Sequence, residues 1–379
     1  MRTVIAITTL IVACARPFPM QEREQNFLSA LLLYAGFSSC STPAFSGIRA
    51  VDTPGNMGMG AAIAVSRCVI YITYLDNGTG NIKLARSYDG GNSFVLSVVG
   101  PTGTNPSIAV SGSTVHIAYF FTAGADLRYA RSTDGGETFT AVTLDSVGSV
   151  GDQSSVAVAG SNVYIAYYDS TNIDLKLAKS TDSGSTFSIS TVDSAGSVGQ
   201  QTAIAAEGSE VYITHYESAA FDLKLARSID SGANFINSVI DSAGSVGQYS
   251  AVLKDSGNVY VSYYDSGGGD LKLGKSTNAG ASFNVFSAET ANNVGNYSTA
   301  AVLGNTIYVA HYDATNFDLR LLRSYDQGMN FTASTIETTG DVGQYASVAA
   351  ESNNLYVAYY DNTNQDLRFA RSSNLGVSF

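Results

Sequence analysis

Short apolar and alternating segments, separated by polar turn residues, recur along the chain after residue 45. In one unit, 154–158 is apolar, 163–168 is rich in aromatic and β-branched residues, and 174–179 and 187–192 alternate. Each segment is long enough for a strand and too short for a helix. Gly, Asn, Ser and Asp separate them, and no sustained helical period occurs. Four strands in a unit of this length predict one propeller blade.

A motif of the form S-x-D/N-x-G-x-x-F occurs in every unit, between its third and fourth strands. The first copy is Ser87–Phe94 and the last is Ser372–Phe379, with a spacing of 45 residues once and 48 thereafter. The acidic or amide side chain can accept backbone N–H groups, and the glycine can take φ > 0. We therefore predict structural turns. The predicted turn residues are Asp89, Asp134, Asp182, Asp230, Asn278, Asp326 and Asn374.

This motif resembles the Asp box, or BNR repeat, of the sialidase-like β-propeller superfamily. The resemblance covers all seven repeats, and it implies a propeller whose boxes lie on the face away from the active site. Asp boxes occur in enzymes and in binding proteins, so the resemblance alone implies no activity. We expect an all-β domain over 45–379, a seven-bladed β-propeller of four-stranded antiparallel blades.

The last repeat stops at Phe379 and lacks its fourth strand. The segment 46–51 has the register of a fourth strand, since 52–58 aligns without a gap to 145–151 in a later repeat. We predict that 46–51 pairs with the third strand of the last repeat, 366–372. Such a strand closes the ring and removes two sheet edges.

Residues 1–44 are typical of a targeting region. Two short apolar runs each lead to a cysteine, Cys14 and Cys40, as in signal peptides with a lipobox-like site. Met20 is an alternative start. We expect an exported, secreted or surface-exposed monomer with a lipid anchor at Cys14 or Cys40, and we interpret Cys68 as a small buried hydrophobe at a strand start.

The net charge of −12 and the pI near 4.6 argue against a nucleic-acid partner. Most basic residues fall at two positions of the third strands, and most acids fall at four repeat positions, which predicts an ion-pair lattice. We expect no cofactor, except for weak Ca²⁺ binding by acids that follow the fourth strands. Those acids are Asp145, Asp193, Asp241, Glu289 and Glu337.

A residue present in every blade belongs to the scaffold, so a unique site should break the repeat. His215 and His311 do so by replacing the tyrosine found at Tyr263. They are either a ligand or metal pair, or planar substitutes for tyrosine between blades. We favour the substitution, because a zinc site needs at least three protein ligands and no third one breaks the repeat with them.

Catalysis by a sialidase-like site is disfavoured by the residues. The family implies an arginine triad, a tyrosine activated by glutamate and an aspartate acid, with an Arg-Ile-Pro motif, and here Ile48-Arg49-Ala50 lacks the proline. We therefore predict no catalytic residues and an exported, non-catalytic scaffold that binds carbohydrate or protein through its polar and aromatic loops. The alternative is a sialidase-like glycoside hydrolase. The predicted ligand-binding residues are Tyr167, Asp169, Gln200, His215, Gln248, Tyr263, His311 and Gln344.

Overall fold

The computed structural model describes residues 46–255 and 257–379, and these form a ring of seven four-stranded antiparallel blades. Within these residues all regular structure is β-strand. They contain no helix that could span a membrane. The all-β, seven-bladed propeller predicted from the repeats is confirmed.

The strands of each blade follow one another outward from the centre of the ring. Blade 1 contains β2 (Met57–Ser66), β3 (Val69–Asp76), β4 (Asn81–Ser87) and β5 (Val95–Gly100); blade 2 contains β6 (Gly103–Ser111), β7 (Thr114–Phe121), β8 (Asp126–Ser132) and β9 (Thr140–Asp145). Blade 3 contains β10 (Val150–Ala159), β11 (Asn162–Asp169), β12 (Asp174–Ser180) and β13 (Ser188–Asp193); blade 4 contains β14 (Gln200–Glu207), β15 (Glu210–Glu217), β16 (Asp222–Ser228) and β17 (Ile236–Asp241).

The remaining blades repeat this order, and the last one borrows a strand from the start of the chain. Blade 5 contains β18 (Val246–Asp255), β19 (Asn258–Asp265), β20 (Asp270–Ser276) and β21 (Asn284–Glu289); blade 6 contains β22 (Val294–Leu303), β23 (Thr306–Asp313), β24 (Asp318–Ser324) and β25 (Thr332–Glu337). Blade 7 contains β26 (Val342–Glu351), β27 (Asn354–Asp361), β28 (Asp366–Ser372) and β1 (Gly47–Asp52).

The ring is closed by β1, as the sequence predicts. It pairs antiparallel with β28, with Gly47 opposite Arg371 and Ala50 opposite Arg368. Ile48 packs against the cluster between blades 6 and 7, and Val51 packs against the cluster between blades 7 and 1. The first strands contact one another around the ring, and β26 contacts β2. The borrowed strand therefore contributes to two blade interfaces as well as to one sheet.

Apolar side chains between neighbouring blades form the core. One cluster joins Tyr164 and Leu177 of blade 3 to Val211 and Ile213 of blade 4, and the other clusters are built in the same way. Second strands are the most buried, whereas fourth strands alternate only weakly and face solvent. The second strands are buried between neighbouring blades, and this explains why they are the most apolar and aromatic segments of each repeat.

The motif turns repeat the same hydrogen bonds in all seven blades. In blade 3, the Ser180 hydroxyl donates to Asp182 Oδ1 over 2.7 Å and accepts the N–H of Gly184 over 2.9 Å. Asp182 Oδ1 also accepts the N–H of Thr186 over 2.9 Å. Gly184 has φ = 84°, a conformation that glycine adopts without a steric penalty. The turn role predicted for Asp182 and its six counterparts is confirmed.

Cys68 corrects one interpretation of the sequence. It lies half-exposed in the turn between β2 and β3 with φ = 66°, and it takes part in a disulfide bond. Its N–H donates to Glu351 of blade 7 over 2.9 Å. A half-exposed, disulfide-bonded residue in a turn is not a small hydrophobe of the core. The targeting region with Cys14 and Cys40 lies outside the described residues.

Candidate ligand-binding site at the channel mouth

A cavity of about 400 Å³ lies where the first strands of all seven blades meet. Each blade contributes two consecutive residues to its lining. The lining residues are Gly60, Ala61, Asn105, Pro106, Gln153, Ser154, Gln201, Thr202, Tyr249, Ser250, Tyr297, Ser298, Tyr345 and Ala346. They lie near the starts of the first strands, and hence at the rim opposite the motif turns. We call this cavity the channel mouth.

One residue of every pair has a left-handed backbone. Its φ is 62° at Gly60, 50° at Asn105 and 51° at Tyr345, and the other four lie between these values. In every blade the register between first and second strands shifts around this residue, for example between Asp152 and Ser155. An irregularity of this kind re-aims a side chain that regular pleating would direct elsewhere. Large side chains at φ > 0 are strained, and such strain is concentrated at functional sites.

One half of the channel mouth is aromatic. Tyr249, Tyr297 and Tyr345 come from three consecutive blades, with ring centroids 4.7 Å apart for the first pair and 4.6 Å for the second. We call these three residues the tyrosine arc. Tyr264, Tyr312 and Tyr360 of the second strands support the arc at 6.3–6.4 Å.

Hydrogen bonds to neighbouring loops fix the supporting tyrosines. The Tyr264 hydroxyl donates to Asn293 over 2.7 Å, and that of Tyr312 donates to Asp341 over 2.8 Å. Burial raises the pKa of Tyr297, as does the neighbouring Tyr345. The hydroxyl of Tyr297 is therefore neutral at physiological pH and can donate a hydrogen bond.

The other half of the channel mouth carries amides. The side-chain oxygen of Gln153 accepts the N–H of Gln201, and that of Gln201 accepts the N–H of Tyr249, each over 2.5 Å. Asn105 donates to Asp152 over 2.8 Å. Gly60 has no side chain, so only six of the seven blades direct a side chain to the axis, and the gap lies beside Tyr345 of the tyrosine arc. The mouth therefore presents aromatic faces on one side and fixed amides on the other.

Most of the ligand-binding residues predicted from the sequence lie elsewhere, inside the ring. Tyr167, Tyr263, His215 and His311 are fully buried, and Asp169 is 1% exposed. Burial removes all five from direct contact with a ligand, which corrects their predicted role.

Asp169 has a structural role in its own loop, where its carboxylate accepts the N–H groups of Thr171 and Asn172. Gln200, Gln248 and Gln344 are half-buried and lie one residue before Gln201, Tyr249 and Tyr345 of the channel mouth. These three residues therefore lie in strands that line the channel mouth, each next to the residue that faces the axis.

The buried tyrosines and histidines form triads between blades. In the third blade the Tyr167 hydroxyl donates to Asp145 over 2.8 Å, and Lys176 donates to the same carboxylate over 2.5 Å. Burial alone would raise the pKa of Asp145, but the bonds from Lys176 and Tyr167 outweigh it and the pKa is lowered. The ion-pair lattice predicted from the sequence is confirmed in these triads.

The histidines replace tyrosine in two of these triads. His215 lies 3.3 Å from Asp193, which also pairs with Lys224 at 2.7 Å. His311 lies 3.2 Å from Glu289, which also binds Arg320. Burial lowers the pKa of His215 despite the neighbouring carboxylate. The interpretation of both histidines as planar substitutes for tyrosine is confirmed, and their assignment to a ligand pair is corrected.

The carboxylates expected to bind Ca²⁺ are the acids of these triads. Asp145, Asp193, Asp241, Glu289 and Glu337 each bind a lysine or arginine of a third strand. No group of three or more ligating side chains suited to a metal occurs in the described part of the chain. Because these carboxylates are already neutralised by a cation, the predicted Ca²⁺ ligands are corrected to structural ion-pair partners.

The comparisons with known proteins establish the fold alone. No family model matches the chain, and no curated protein matches it. YCF48 from Cyanidioschyzon merolae superposes with a TM-score of 0.57 at 12% identity, covering 86% of this chain and 98% of YCF48. YCF48 bound to D1 peptide gives 0.55 at 14% identity, covering 88% and 98%.

A sialidase shares the same architecture. The Hadza microbial sialidase Hz136 superposes with a TM-score of 0.52 at 13% identity, covering 82% of this chain and 74% of that protein. At these identities the likeness shows a fold shared with sialidases and with YCF48. The likeness therefore shows the propeller fold alone, and any activity depends on the chemistry of the site.

Proposed function

We propose that this chain is an exported, non-catalytic binding scaffold, an Asp-box repeat protein of the sialidase-like superfamily, that binds a neutral glycan at the channel mouth. The observation that carries the proposal is the division of that mouth into a tyrosine arc and an amide half. At this one repeat position, which faces the axis, Gly, Asn, Gln and Tyr occur in different blades. Accessible residues that depart from a repeat are the ones free to recognise a single ligand.

The chemistry of the lining favours a sugar over an anionic ligand. Tyrosine faces stack on the C–H face of a pyranose, and hydroxyl and amide groups bond its hydroxyls without charge. None of the fourteen lining residues is charged. Acidic residues such as Asp152 and Asp341 lie beside the mouth, so the local field opposes an anionic ligand.

Exposed aromatic residues on the same rim extend the surface available to a larger ligand. Phe221 and Phe317 are 52% and 50% exposed, in the loops between second and third strands. Both have a left-handed backbone, with φ = 63° and 64°. The conformation belongs to the repeat, but large apolar side chains exposed on this rim favour a role in contact with a ligand. A protein ligand is the second candidate for this wider surface, and YCF48 has been solved with a peptide bound.

A sialidase-like hydrolase is the alternative function, and the shared fold is its support. Most glycoside hydrolases use two carboxyl groups that flank the scissile bond, and sialidases use a tyrosine nucleophile activated by glutamate, an aspartate acid and arginines that hold the substrate carboxylate. Here the triad carboxylates lie between blades and bind lysine or arginine, as Asp145 does. The channel mouth is lined by neither a carboxylate nor an arginine. The geometry therefore supports binding better than catalysis.

Export is part of the proposal. The apolar runs that lead to Cys14 and Cys40 support it, because they have the pattern of a signal peptide with a lipobox-like site. A lipid anchor at Cys14 or Cys40 and a monomeric state complete the proposal. Mass spectrometry of the protein from its native cells would identify an acylated cysteine, and a cytosolic, reduced protein would contradict export.

The binding proposal is tested with a glycan array and a peptide array, each probed with the wild-type protein and with Tyr297→Ala. We expect neutral glycan hits whose affinity falls about tenfold in Tyr297→Ala, the loss typical of one stacked aromatic. Tyr325→Ala is the matched control, because Tyr325 is an exposed tyrosine of a motif turn on the opposite rim. It should bind as the wild type does.

The alternatives give distinct results in the same experiment. Hits on peptides alone, lost in Tyr297→Ala, would assign the mouth to a protein ligand. Turnover of sialosides or neutral glycosides by the wild type would overturn the non-catalytic proposal. Equal loss in Tyr297→Ala and Tyr325→Ala would overturn the assignment to the channel mouth.

A further inference from the structure

The motif turns share their hydrogen bonds, but the residue that follows the glycine of the motif divides them into two groups. In blades 1 to 3 this residue is polar, and it is Asn92, Glu137 or Ser185. In blades 4 to 7 it is apolar, and it is Ala233, Ala281, Met329 or Val377. All of these side chains are exposed. The rim that carries the motif turns, which we call the motif rim, therefore has a polar part and an apolar part.

The apolar part exposes large side chains to solvent. Met329 is 73% exposed, and Val377 is more than half exposed. Ile229, which lies in the motif turn of blade 4, is also more than half exposed. We define the apolar crescent as the following residues of blades 4 to 7: Ile229, Ala233, Ala281, Met329 and Val377.

The crescent is continuous, because each motif turn packs against the preceding blade. A Cβ atom on Gly280 would lie 3.3 Å from Leu225 of blade 4, and one on Gly328 would lie 3.2 Å from Leu273 of blade 5. The turns are also held by side chains, as where the Ser324 hydroxyl accepts the N–H of Gly328 over 2.7 Å. Neighbouring turns therefore present their apolar residues side by side on a fixed surface.

The needs of the scaffold do not explain an apolar residue at this position. In blade 2 the position holds Glu137, whose carboxylate binds Arg86 of blade 1 over 2.8 Å. In blade 7 it holds Val377, and its turn lies against Arg323, the counterpart of Arg86, since a Cβ atom on Gly376 would be 3.3 Å from that side chain. Val377 gives up an ion pair and exposes apolar surface to water, which favours contact with a partner.

The charges of the two rims point to the kind of partner. The repeated acids at the ends of second and fourth strands and at the starts of third strands all lie on the rim of the channel mouth. Within blades 4 to 7, two of the four motif acids are replaced by amides, Asn278 and Asn374. Because carboxylates lose free energy when they leave water, the crescent is better suited than the opposite rim to an apolar partner.

The chain enters the propeller at the motif rim, beside the crescent. Gly47 of β1 lies opposite Arg371, which comes directly before the motif of blade 7. Arg49 donates to the carbonyl of Gly91, in the motif turn of blade 1, over 3.1 Å. Cys40 precedes Gly47 by seven residues, a length of chain that spans at most about 25 Å. A lipid on Cys40 would therefore bring this rim, and not the channel mouth, close to a membrane.

We propose that the apolar crescent rests on the surface of a lipid bilayer, with the channel mouth turned away from it. The inference rests on the export and anchoring part of the proposed function, and it does not depend on the ligand of the mouth. Apolar side chains can enter the boundary between headgroups and acyl chains, and a single lipid chain needs such a second contact for stable attachment. In this orientation the channel mouth stays open to ligands from the solvent.

A single tryptophan tests the orientation, because the chain contains none of its own. Met329→Trp places it on the crescent. Val147→Trp is the matched control, since Val147 is 76% exposed in the connection between β9 and β10, on the opposite rim. The unacylated full chain is mixed with phosphatidylcholine vesicles whose acyl chains carry bromine, which quenches tryptophan inside the bilayer. We expect the emission of Met329→Trp to fall by about half as the crescent enters the acyl boundary, and that of Val147→Trp to stay unchanged.

Charged variants measure how much the crescent contributes to vesicle binding. Met329→Asp combined with Val377→Asp should weaken cosedimentation with the same vesicles about tenfold, because it places charge in the contact. Val147→Asp is the control and should not change it. All three positions are exposed, and an unchanged melting temperature shows that lost binding is not lost folding.

The other outcomes would overturn the proposal. They are quenching of neither tryptophan, quenching of Val147→Trp that equals or exceeds that of Met329→Trp, and unchanged cosedimentation of the double aspartate variant. Dimers that form without vesicles and are lost in the double variant would assign the crescent to a second copy of this chain instead. Because the protein is unacylated and no glycan is present, these results are separate from those on the lipid anchor and on glycan binding.

Discussion

The two rims of the propeller are built from the same repeat but keep it to different degrees. On the motif rim, all seven serine hydroxyls donate to the same Asp or Asn oxygen over 2.6–2.8 Å. On the opposite rim, the repeat position that faces the axis is glycine in one blade, an amide in three and tyrosine in three. The first rim is uniform in bonding, and the second is uniform only in backbone conformation.

This difference separates scaffold from site. The motif turn needs one side-chain geometry, because its serine and its Asp or Asn accept backbone N–H groups. Without these side chains, those N–H groups would have no hydrogen-bond acceptor. The left-handed residue of the channel mouth needs only to direct a side chain to the axis, so its identity is free to vary. A repeat that holds its backbone and varies its side chain is suited to building an asymmetric site from a symmetric frame.

The largest effect is expected from removing the strand that both rims require. Deleting 45–53 should expose the edge of β28 and leave Ile48 and Val51 out of two clusters. We expect the melting temperature to fall by about 10 °C or more, or the ring not to fold. Calorimetry of the purified deletion variant checks this. An unchanged melting temperature would mean that β1 does not close the ring.

Closure was predictable because register along a repeat is a property of sequence alone. The match of 52–58 to 145–151 is enough to place 46–51 at the fourth-strand position. The tyrosine arc was missed for a physical reason. Alternation assigns Tyr249 and Gln248 to opposite faces, but the register shift between Gln248 and Ala251 re-aims the side chain. Hydrophobic patterns report the regular strand and do not report such an irregularity.

The buried triads were predictable as ion pairs, whereas their burial was not. His215 and His311 broke the repeat and so attracted a functional interpretation. Both lie against the fourth strand of the preceding blade, where they meet Asp193 and Glu289, and only the packing of blades reveals this. The corresponding signal for the channel mouth was present in the sequence, as a repeat position that changes from amide in blades 3 and 4 to tyrosine in blades 5 to 7.

The second prediction separates packing from function at His215. His215→Ala should cost roughly 3–4 kcal/mol of unfolding free energy, because it leaves a cavity beside the buried Asp193–Lys224 pair. His215→Tyr restores the residue of neighbouring blades and should cost much less. Denaturant unfolding of both variants provides the comparison. Loss of ligand binding in a fully stable His215→Tyr protein would instead show a functional histidine.

The third prediction concerns pH and His116. Burial lowers the pKa of His116 to about 4, and Arg131 adds to the effect. Because the unfolded side chain titrates near 6.5, the unfolded chain takes up a proton first as the pH falls, and stability is lost between about pH 6.5 and pH 4. The loss should approach about 3 kcal/mol at pH 4.

A variant at the same position isolates this titration. His116→Phe gives up the bond between His116 Nδ1 and the Tyr129 hydroxyl, but its stability should depend less steeply on pH. His215, whose pKa burial also lowers, should account for part of the remaining slope. Denaturant midpoints measured between pH 7 and pH 4 for both proteins decide the matter. Identical slopes would rule out His116 as the source.

The fourth prediction probes the uniform rim. Ser180→Ala removes a buried hydroxyl that bonds Asp182 and Gly184, and we expect a loss of about 2 kcal/mol without a change in ligand affinity. The control is Ser190→Ala on the exposed outer strand of the same blade, which should change stability by less than about 0.5 kcal/mol. Weaker ligand binding by a folded Ser180→Ala protein would place function on the motif rim. It would contradict the assignment of that rim to the scaffold and of the opposite rim to the site.

The central claim is that a ligand binds where the repeat is broken on the accessible surface. The most direct test is a crystal structure of the protein with its strongest glycan from the array. We predict a sugar ring stacked on the tyrosine arc, with its hydroxyls bonded to Gln153, Gln201 or Asn105 of the opposite half. A glycan bound at the motif rim or along the outer strands, with the channel mouth empty, would contradict the account.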